Sequence, residues 1–499
     1  MIGWRDADDR AHRGSLFAAF AALARGEAWS FPALRPHQRE PWHAFTVQVA
    51  ALAMIHAGET GLPTGEEAWR DLLHGLTPDQ PEAWELVVED WSKPALLQPP
   101  LVPGNDPAAY KKIFSTPDLL DMLVTSRNHD VKQQQVSSAT DEDWLFSLVT
   151  LQTTEGFLGA GNYGISRMNG GFASRMTLGI RPTGGAGSAF HRDVDRLVAH
   201  ANLRLNRRIG TQLLWTVPWD GMTSLNYEEL DELYVEVCRR IRLRRNGIGN
   251  LVAVGAGSKT ARVASGQRKG LTDDPWAPVK ADGTASHSPT AAGFGYREMA
   301  RLLDSKRIKR PLLAERFEQD DVSGLSIVAA ALVRGEGKTE GLHRRAVRIS
   351  RISELPTGDK GALDRIGEVA NTRANEAGEA GANLRRALIS LVQGGTEKMR
   401  LDDDAAKKKV KSWIDQFDQT VDAEFFDRPF WDEISMATAG QNHRLLWRHR
   451  LRAIATDIFE RAARWAPGTE VTRVRAYAQA RSYLAGQMRK WVEKAEHGD

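Results

Sequence analysis

The first 13 residues carry too short a pattern for a long element and predict a short strand or hairpin. Helical periodicity begins at Ser15, where LFAAFAALARGEAW puts its apolar residues on one face. Residues 41–57 (PWHAFTVQVAALAMIHA) are apolar over so broad a face that the predicted helix should be buried. A third helical pattern covers 81–91, and a proline-rich loop follows over 97–107. Residues 125–140 (TSRNHDVKQQQVSSAT) lack apolar periodicity and predict a long exposed loop, either functional or disordered. A helix returns at 141–154 behind Ser, Thr and Asp capping chemistry. Strands are predicted at 176–183 and 211–217. A hairpin is predicted at 239–264, where RIRLRR and NLVAVGAG flank Asn246-Gly247. After a turn-rich extended segment at 270–289, residues 324–351 hold two strands, LSIVAAALV and RRAVRIS, around a glycine-rich turn.

The character changes after Pro356. Helical patterns cover 359–393, 404–425, 442–465 and 470–495, and their short connections predict an antiparallel bundle. The expected fold class is α+β: a large, irregular mixed α/β domain over 1–355, followed by a four-helix bundle over 356–499. A chain of 499 residues with 41% hydrophobic and 26% charged residues is not mostly disordered. Its 15 tryptophans make a large packed interior credible. No window is apolar enough for a transmembrane helix, and the polar start MIGWRDADDRAHRG is unlike a signal peptide. The one cysteine, Cys238, makes no intrachain disulfide and no cysteine zinc cluster. A cytoplasmic protein with no membrane partner is expected.

The net charge of +3 hides clustering. Five arginines fall within 239–245, and residues 441–490 hold eleven basic against three acidic residues. Such clusters point to a polyanion partner, with local ion pairing as the alternative. Arg444, Arg448 and Arg452 recur every four residues on one helical face, which suits either a DNA backbone or a solvated surface.

Enzyme motifs are near misses. Gly337-Lys338-Thr339 ends like a phosphate-binding loop, but the glycine needed five residues earlier is Leu332. GAGSKT at 255–260 has Ser258 where the pattern needs glycine. Both read as turns in β structure. Gly159, Gly161 and Gly164 spell GxGxxG without the strand–turn–helix context that gives it meaning. His37 and His43 are six residues apart, as are His443 and His449, which is poor spacing for one helical face. No cofactor and no metal site are expected. What remains is a glycine-rich segment, 156–171, able to approach a ligand with its backbone, together with a polar loop and basic elements.

Four motifs occur in order before the predicted bundle: FPALRPHQREPWHAF (31–45), GFLGAGNYG…NGG (156–171), KGLTDDPWAPV (269–279) and GEGKTEGLHRR (335–345). Together they resemble CasA, the large subunit of the type I-E CRISPR Cascade complex, over nearly the whole chain. The resemblance implies a non-catalytic subunit of an RNA-guided surveillance complex. Base pairing with the guide crRNA reads the target, while the protein reads a short flanking motif, the PAM, in double-stranded DNA and helps open the duplex. It maps PAM contacts to Gly159, Ala160, Gly161, Asn162 and Lys269, with Arg268 a rival to Lys269. It maps a duplex-opening wedge to Gly337, Lys338 and Thr339, where this sequence lacks the glutamine of a glutamine wedge. It maps docking on the guide RNA and backbone subunits to Arg127, Asn128 and His129, and lays the basic bundle along DNA. The implied partners are the crRNA, target DNA, the backbone, small and 5′-handle-binding Cascade subunits, and a helicase–nuclease effector or a nuclease domain on another subunit. The alternative class is a stand-alone nuclease or ATPase, which requires a metal or phosphate site.

Overall fold

The computed structural model describes residues 1–104, 107–121, 139–171, 174–317, 319–320, 324–335, 338–349, 361–435 and 440–496. The chain divides into two compact units, Met1–Gly293 with Lys306–Ile349, and Phe294–Ser305 with Ser350–Asp499. Mixed strands and helices make up the first, and helices the second, as the α+β reading expects.

The first unit is built round the helix Arg39–Ala57, in which residues 44–54 are buried without a break. Helices Glu66–Gly75, Asp141–Thr154 and Gly185–Leu203 and the strand Leu230–Val235 pack on it. Two of its buried polar side chains find backbone partners: the Thr46 hydroxyl donates to the Trp42 carbonyl at 3.0 Å, and the Gln48 amide to the Tyr234 carbonyl at 3.3 Å. Trp69, Trp144, Trp215, Trp219 and Trp276 are fully buried in this unit. The strands form small separate sheets. One joins Lys112–Phe114, Leu251–Ala256 and Arg240–Arg245. Another joins Thr177–Pro182, Leu325–Gly335 and Lys338–Ile349, all antiparallel. Its third strand stops at the Thr177–Ala330 pair, so beyond Ala330 the long hairpin continues as two strands. Its register shifts between Val333 and Arg334.

Two local expectations fail, and one helix is unforeseen. The helix expected at 81–91 is a single turn, Pro81–Trp84, and the helix lies earlier at Glu66–Gly75. The strand expected at 211–217 ends at Leu213. The helix Gly185–Leu203 was masked by the glycines that open it. Those glycines are steric necessities, since a Cβ on Gly187 would lie 2.7 Å from the Gly26 Cα.

In the second unit the helix Ala362–Gln393 contacts each of Asp404–Glu424, Gly440–Ala463 and Glu470–Glu496. The short helix Tyr296–Leu303 joins this unit from well before the boundary expected near 356. It lies so close to Gly367 that a Cβ there would meet the Leu303 carbonyl at 2.2 Å. Asp403 caps the second long helix, accepting from the Ala405 and Ala406 amides. The Asp402–Asp404 and Lys407–Lys409 runs thus begin a helix with acids first and bases a turn later, which suits its dipole.

Charge is buried between these helices. Arg373 donates to Glu433 at 2.8 Å and lies near the rings of Phe430 and Trp447. Glu376 accepts from both Arg444 at 2.6 Å and Arg448 at 2.8 Å. Removing one partner of a buried pair leaves the other charged and unpaired, which costs about 3–5 kcal/mol. Glu376→Ala should therefore lower the melting temperature sharply in a thermal scan. A melting temperature within a degree or two of the parent would show that the pair does not hold the bundle.

Candidate nucleic-acid interface

The glycine-rich segment begins where the Asp141–Thr154 helix ends. Phe157 N–H donates to the Gly171 carbonyl at 2.9 Å, which closes the segment into a loop. At its tip Leu158 N–H donates to Asn162 O at 2.9 Å and Asn162 N–H to Gly159 O at 3.0 Å. Gly159 and Gly161 take the left-handed conformation, with φ of +97° and +84°, which fits glycine at these positions. A Cβ on Gly159 would meet nothing within 4 Å, so the turn is open on that side. The Asn162 side-chain amide has no partner among the described residues. Beside the turn lies a cleft of about 220 Å³, lined in part by Lys112, Glu155, Ala160, Gly161, Asn162 and Arg239.

Buried polar groups hold this loop. Arg239 pairs with Glu155 at 2.8 Å and donates to the Gly156 and Tyr163 carbonyls. Further along, Ser166 donates from its amide and its hydroxyl to Glu236, at 2.7 and 2.8 Å. Arg167 lies over the Tyr234 ring and donates to that residue's carbonyl at 2.9 Å. Cys238 is buried and donates to the Leu151 carbonyl at 3.2 Å; burial pushes its thiol up to about 12, so it is inert at neutral pH.

Lys269 reaches the same place from far along the chain. A Cβ on its neighbour Gly270 would lie 2.7 Å from the Met168 carbonyl carbon and 2.9 Å from Asn169 N, so this turn sits against the loop's second half. Lys269 itself is left-handed, with φ of +52°. That conformation costs an ordinary side chain about 1–2 kcal/mol. Its carbonyl accepts from Ser286 N–H at 3.0 Å, while its exposed ammonium has no partner among the described residues. Arg268 pairs with Glu228 and stacks 3.9 Å from the centre of the Tyr227 ring. Of the two rivals, Lys269 has the uncommitted charge.

The arginine clusters depart from expectation. Arg239, Arg240 and Arg242, in the run read as polyanion-seeking, are buried. Arg242 donates to the Lys93, Gln98 and Val88 carbonyls, and Arg240 to that of Gly257. Nor is 444/448/452 a free stripe. Arg448 is buried and donates to Glu376 and to the Trp491 carbonyl, and Arg444 shares Glu376. Arg452 alone of the three has an unpaired guanidinium among the described residues. Sequence reading missed another basic surface on this unit. A groove of about 600 Å³ between helices Ala362–Gln393 and Asp404–Glu424 carries Arg385, Arg386, Lys407, Lys408 and Lys411 against Asp415 and Asp418. Arg127, Asn128 and His129 lie outside the described residues, as does Gly337. Lys338 and Thr339 open the hairpin's second strand, paired with Gly335 and Arg334. Among the described residues no three His, Cys, Asp or Glu side chains gather as metal ligands, and no helix is long and apolar enough to cross a membrane.

Burial raises the Glu236 carboxyl to about 7, against the opposing pull of the Ser166 hydrogen bonds and Arg167. The folded chain therefore keeps a proton here that an unfolded glutamate releases near pH 4.5. The stabilisation is full below pH 4.5 and is lost as pH rises through about 7. Glu236→Gln keeps the neutral shape. Its melting temperature should match the parent's at pH 4 and exceed it at pH 8; an equal offset at both would contradict a buried neutral acid.

No family model and no curated protein sequence matches the chain. Solved structures do. CasA (Cse1) of Thermus thermophilus superposes with a TM-score of 0.63 at 15% identity, covering 98% of this chain and 97% of that one. Cse1 of Acidimicrobium ferrooxidans gives 0.62 at 15% identity, over 99% and 97%. Cse1 of Thermobifida fusca gives 0.54 at 14% identity, over 98% and 96%. Over nearly its whole length, the chain has the fold of the CasA (Cse1) proteins.

Proposed function

We propose that the chain is the non-catalytic large subunit of a type I-E CRISPR Cascade complex. In this reading it recognises the PAM in double-stranded DNA through the turn at 159–162 and Lys269. The observation that carries the reading is the seating of Gly270 against Met168 and Asn169. It joins an unpaired lysine to a glycine loop whose turn is open on one side. A backbone without side chains can approach the floor of a groove, where the minor groove offers only acceptors and the guanine amino group. Asn162 supplies an amide able to donate or accept, and Lys269 a cation for a base acceptor or a phosphate. The shared fold supports placing both on one recognition surface.

The hairpin Leu325–Gly335 and Lys338–Ile349 is the proposed wedge, with Lys338 and Thr339 just past its tip. Separating stacked pairs beside the PAM costs about 1.4 kcal/mol per step. A two-stranded extension rooted in a three-stranded sheet suits that task. Arg127, Asn128 and His129 are proposed to dock on guide RNA and the backbone subunits. Arg452 and the lysine–arginine groove of the helical unit are proposed to steady the DNA once it opens, and the assembly then recruits a helicase–nuclease.

Lys269→Ala and Gly161→Val test the site. The first removes the free cation; the second forces a β-branched residue into left-handed backbone. Each should weaken duplex binding by the RNA-loaded assembly about tenfold, within the 1–3 kcal/mol of a good recognition contact. Binding of a single strand complementary to the guide should be unchanged. Parental duplex affinity in both variants would remove the assignment.

A further inference from the structure

The segment GAGSKT at 255–260 matches no phosphate-binding loop, yet it ends beside the glycine turn. Ser258 N–H donates to the Gly161 carbonyl at 3.2 Å. A Cβ on Gly161 would lie 3.8 Å from both the Gly257 Cα and the Ser258 carbonyl oxygen. The turn at 159–162 and the bend at 257–260 are thus one surface.

The bend is held from below. Arg240 donates to the Gly257 carbonyl at 3.1 Å. Lys259 N–H donates to the Gly221 carbonyl at 2.6 Å. Gly221 has φ of +79°, and a Cβ there would meet the Arg240 guanidinium at 2.7 Å. Thr260 donates to the Met222 carbonyl at 3.2 Å. With its backbone fixed in this way, Lys259 is exposed, and its ammonium has no partner among the described residues. Among the described residues no carboxylate neutralises it, in contrast to Arg268 with Glu228 and Arg245 with Asp141 at 4.0 Å.

The geometry points to Lys259 as a second cation of the nucleic-acid surface. It binds a backbone phosphodiester beside the nucleotides that the glycine turn meets. The inference rests on the PAM-recognition reading above and adds a contact to it. The Ser258 and Lys259 amides are already used within the protein, so the contact is made by the ammonium. A lone ammonium is a point charge without the fork that reads a base bidentately. Lys259 therefore contributes affinity without sequence preference, whereas the turn and Lys269 discriminate.

Duplexes differing only in the flanking motif, titrated with the RNA-loaded assembly across a salt series, test this. Losing one phosphate contact lowers the slope of log affinity against log salt by about 0.9, which at 0.15 M monovalent salt is about fivefold in affinity. Lys259→Ala should show both changes, equally on every flanking sequence, and Lys259→Arg should retain the parental slope. Parental affinity and slope in Lys259→Ala, with Lys269→Ala weakened, would overturn this inference and leave the PAM reading standing. A loss confined to one flanking sequence would make Lys259 a base reader and also overturn it. Parental duplex binding in the Lys259, Lys269 and Gly161 variants alike would remove the reading and the inference together.

Discussion

Buried guanidinium groups donating to backbone carbonyls hold the first unit together. Its sheets have two or three strands each, so long stretches of chain lie outside any ladder. Carbonyls on such stretches need donors when they are buried. Arg242 supplies three, binding the carbonyls of Val88, Lys93 and Gln98, and Arg262 does the same for Leu214, Val217 and Pro218. Neither has a carboxylate in hydrogen-bond contact among the described residues. Burial lowers each to about 10, which still leaves it charged at neutral pH. A planar fork with five donors can bridge several loop segments at once, which a lysine ammonium cannot do with the same rigidity.

This constraint explains what was legible in the sequence and what was not. Periodicity located the buried helix Arg39–Ala57 and the four long helices because their packing follows apolar repeats. Turn chemistry located the Arg240–Arg245 and Leu251–Ala256 hairpin, whose bend is closed by Asn246 bonding to Gly249 and Asn250. The glycine segment was also visible, because positive φ leaves a compositional mark. The direction in which an arginine faces leaves none. In a strand with residues 240 to 243 all buried, Arg240 and Arg242 go inside with Ile241 and Leu243. A count of basic residues reads them as surface charge. The same error occurs in the bundle, where the spacing of Arg444 and Arg448 fits a helical face but Glu376 draws that face inward. The helix Gly185–Leu203 was hidden for the opposite reason. Its opening glycines look like a breaker but are there for close packing.

The division of labour between the two basic residue types follows. In the first unit, arginine is largely structural: it is buried, or tied to a carboxylate as Arg181 is to Glu40 and Asp193. Lys259 and Lys269, beside the glycine loop, are exposed and have no ion-pair partner among the described residues. An ammonium on a flexible stem loses side-chain entropy when it is ordered, about 2 kcal/mol at most. A site built from such groups gains by fixing everything beneath them. At Lys269 the fixing is visible as left-handed backbone, an uncommon conformation that persists because Ser286 and Gly270 anchor the turn on either side.

Preorganisation also bears on why the loop is tied down by so many buried groups. On the proposed reading, the protein must hold two paired strands at the PAM while the neighbouring pairs come apart. Any slack in the recognition loop would be taken up before force reached the duplex. The loop has little slack: its first half is bound by Arg239, its middle by Glu236 and Arg167, and its second half by Gly270. Ser174, the next described residue after the loop, is bound to the hairpin: its N–H donates to the Leu332 carbonyl and the Leu332 amide donates back to its hydroxyl, each at 2.7 Å. Two backbone-directed bonds thus tie Ser174, shortly after the proposed reader, to the proposed wedge.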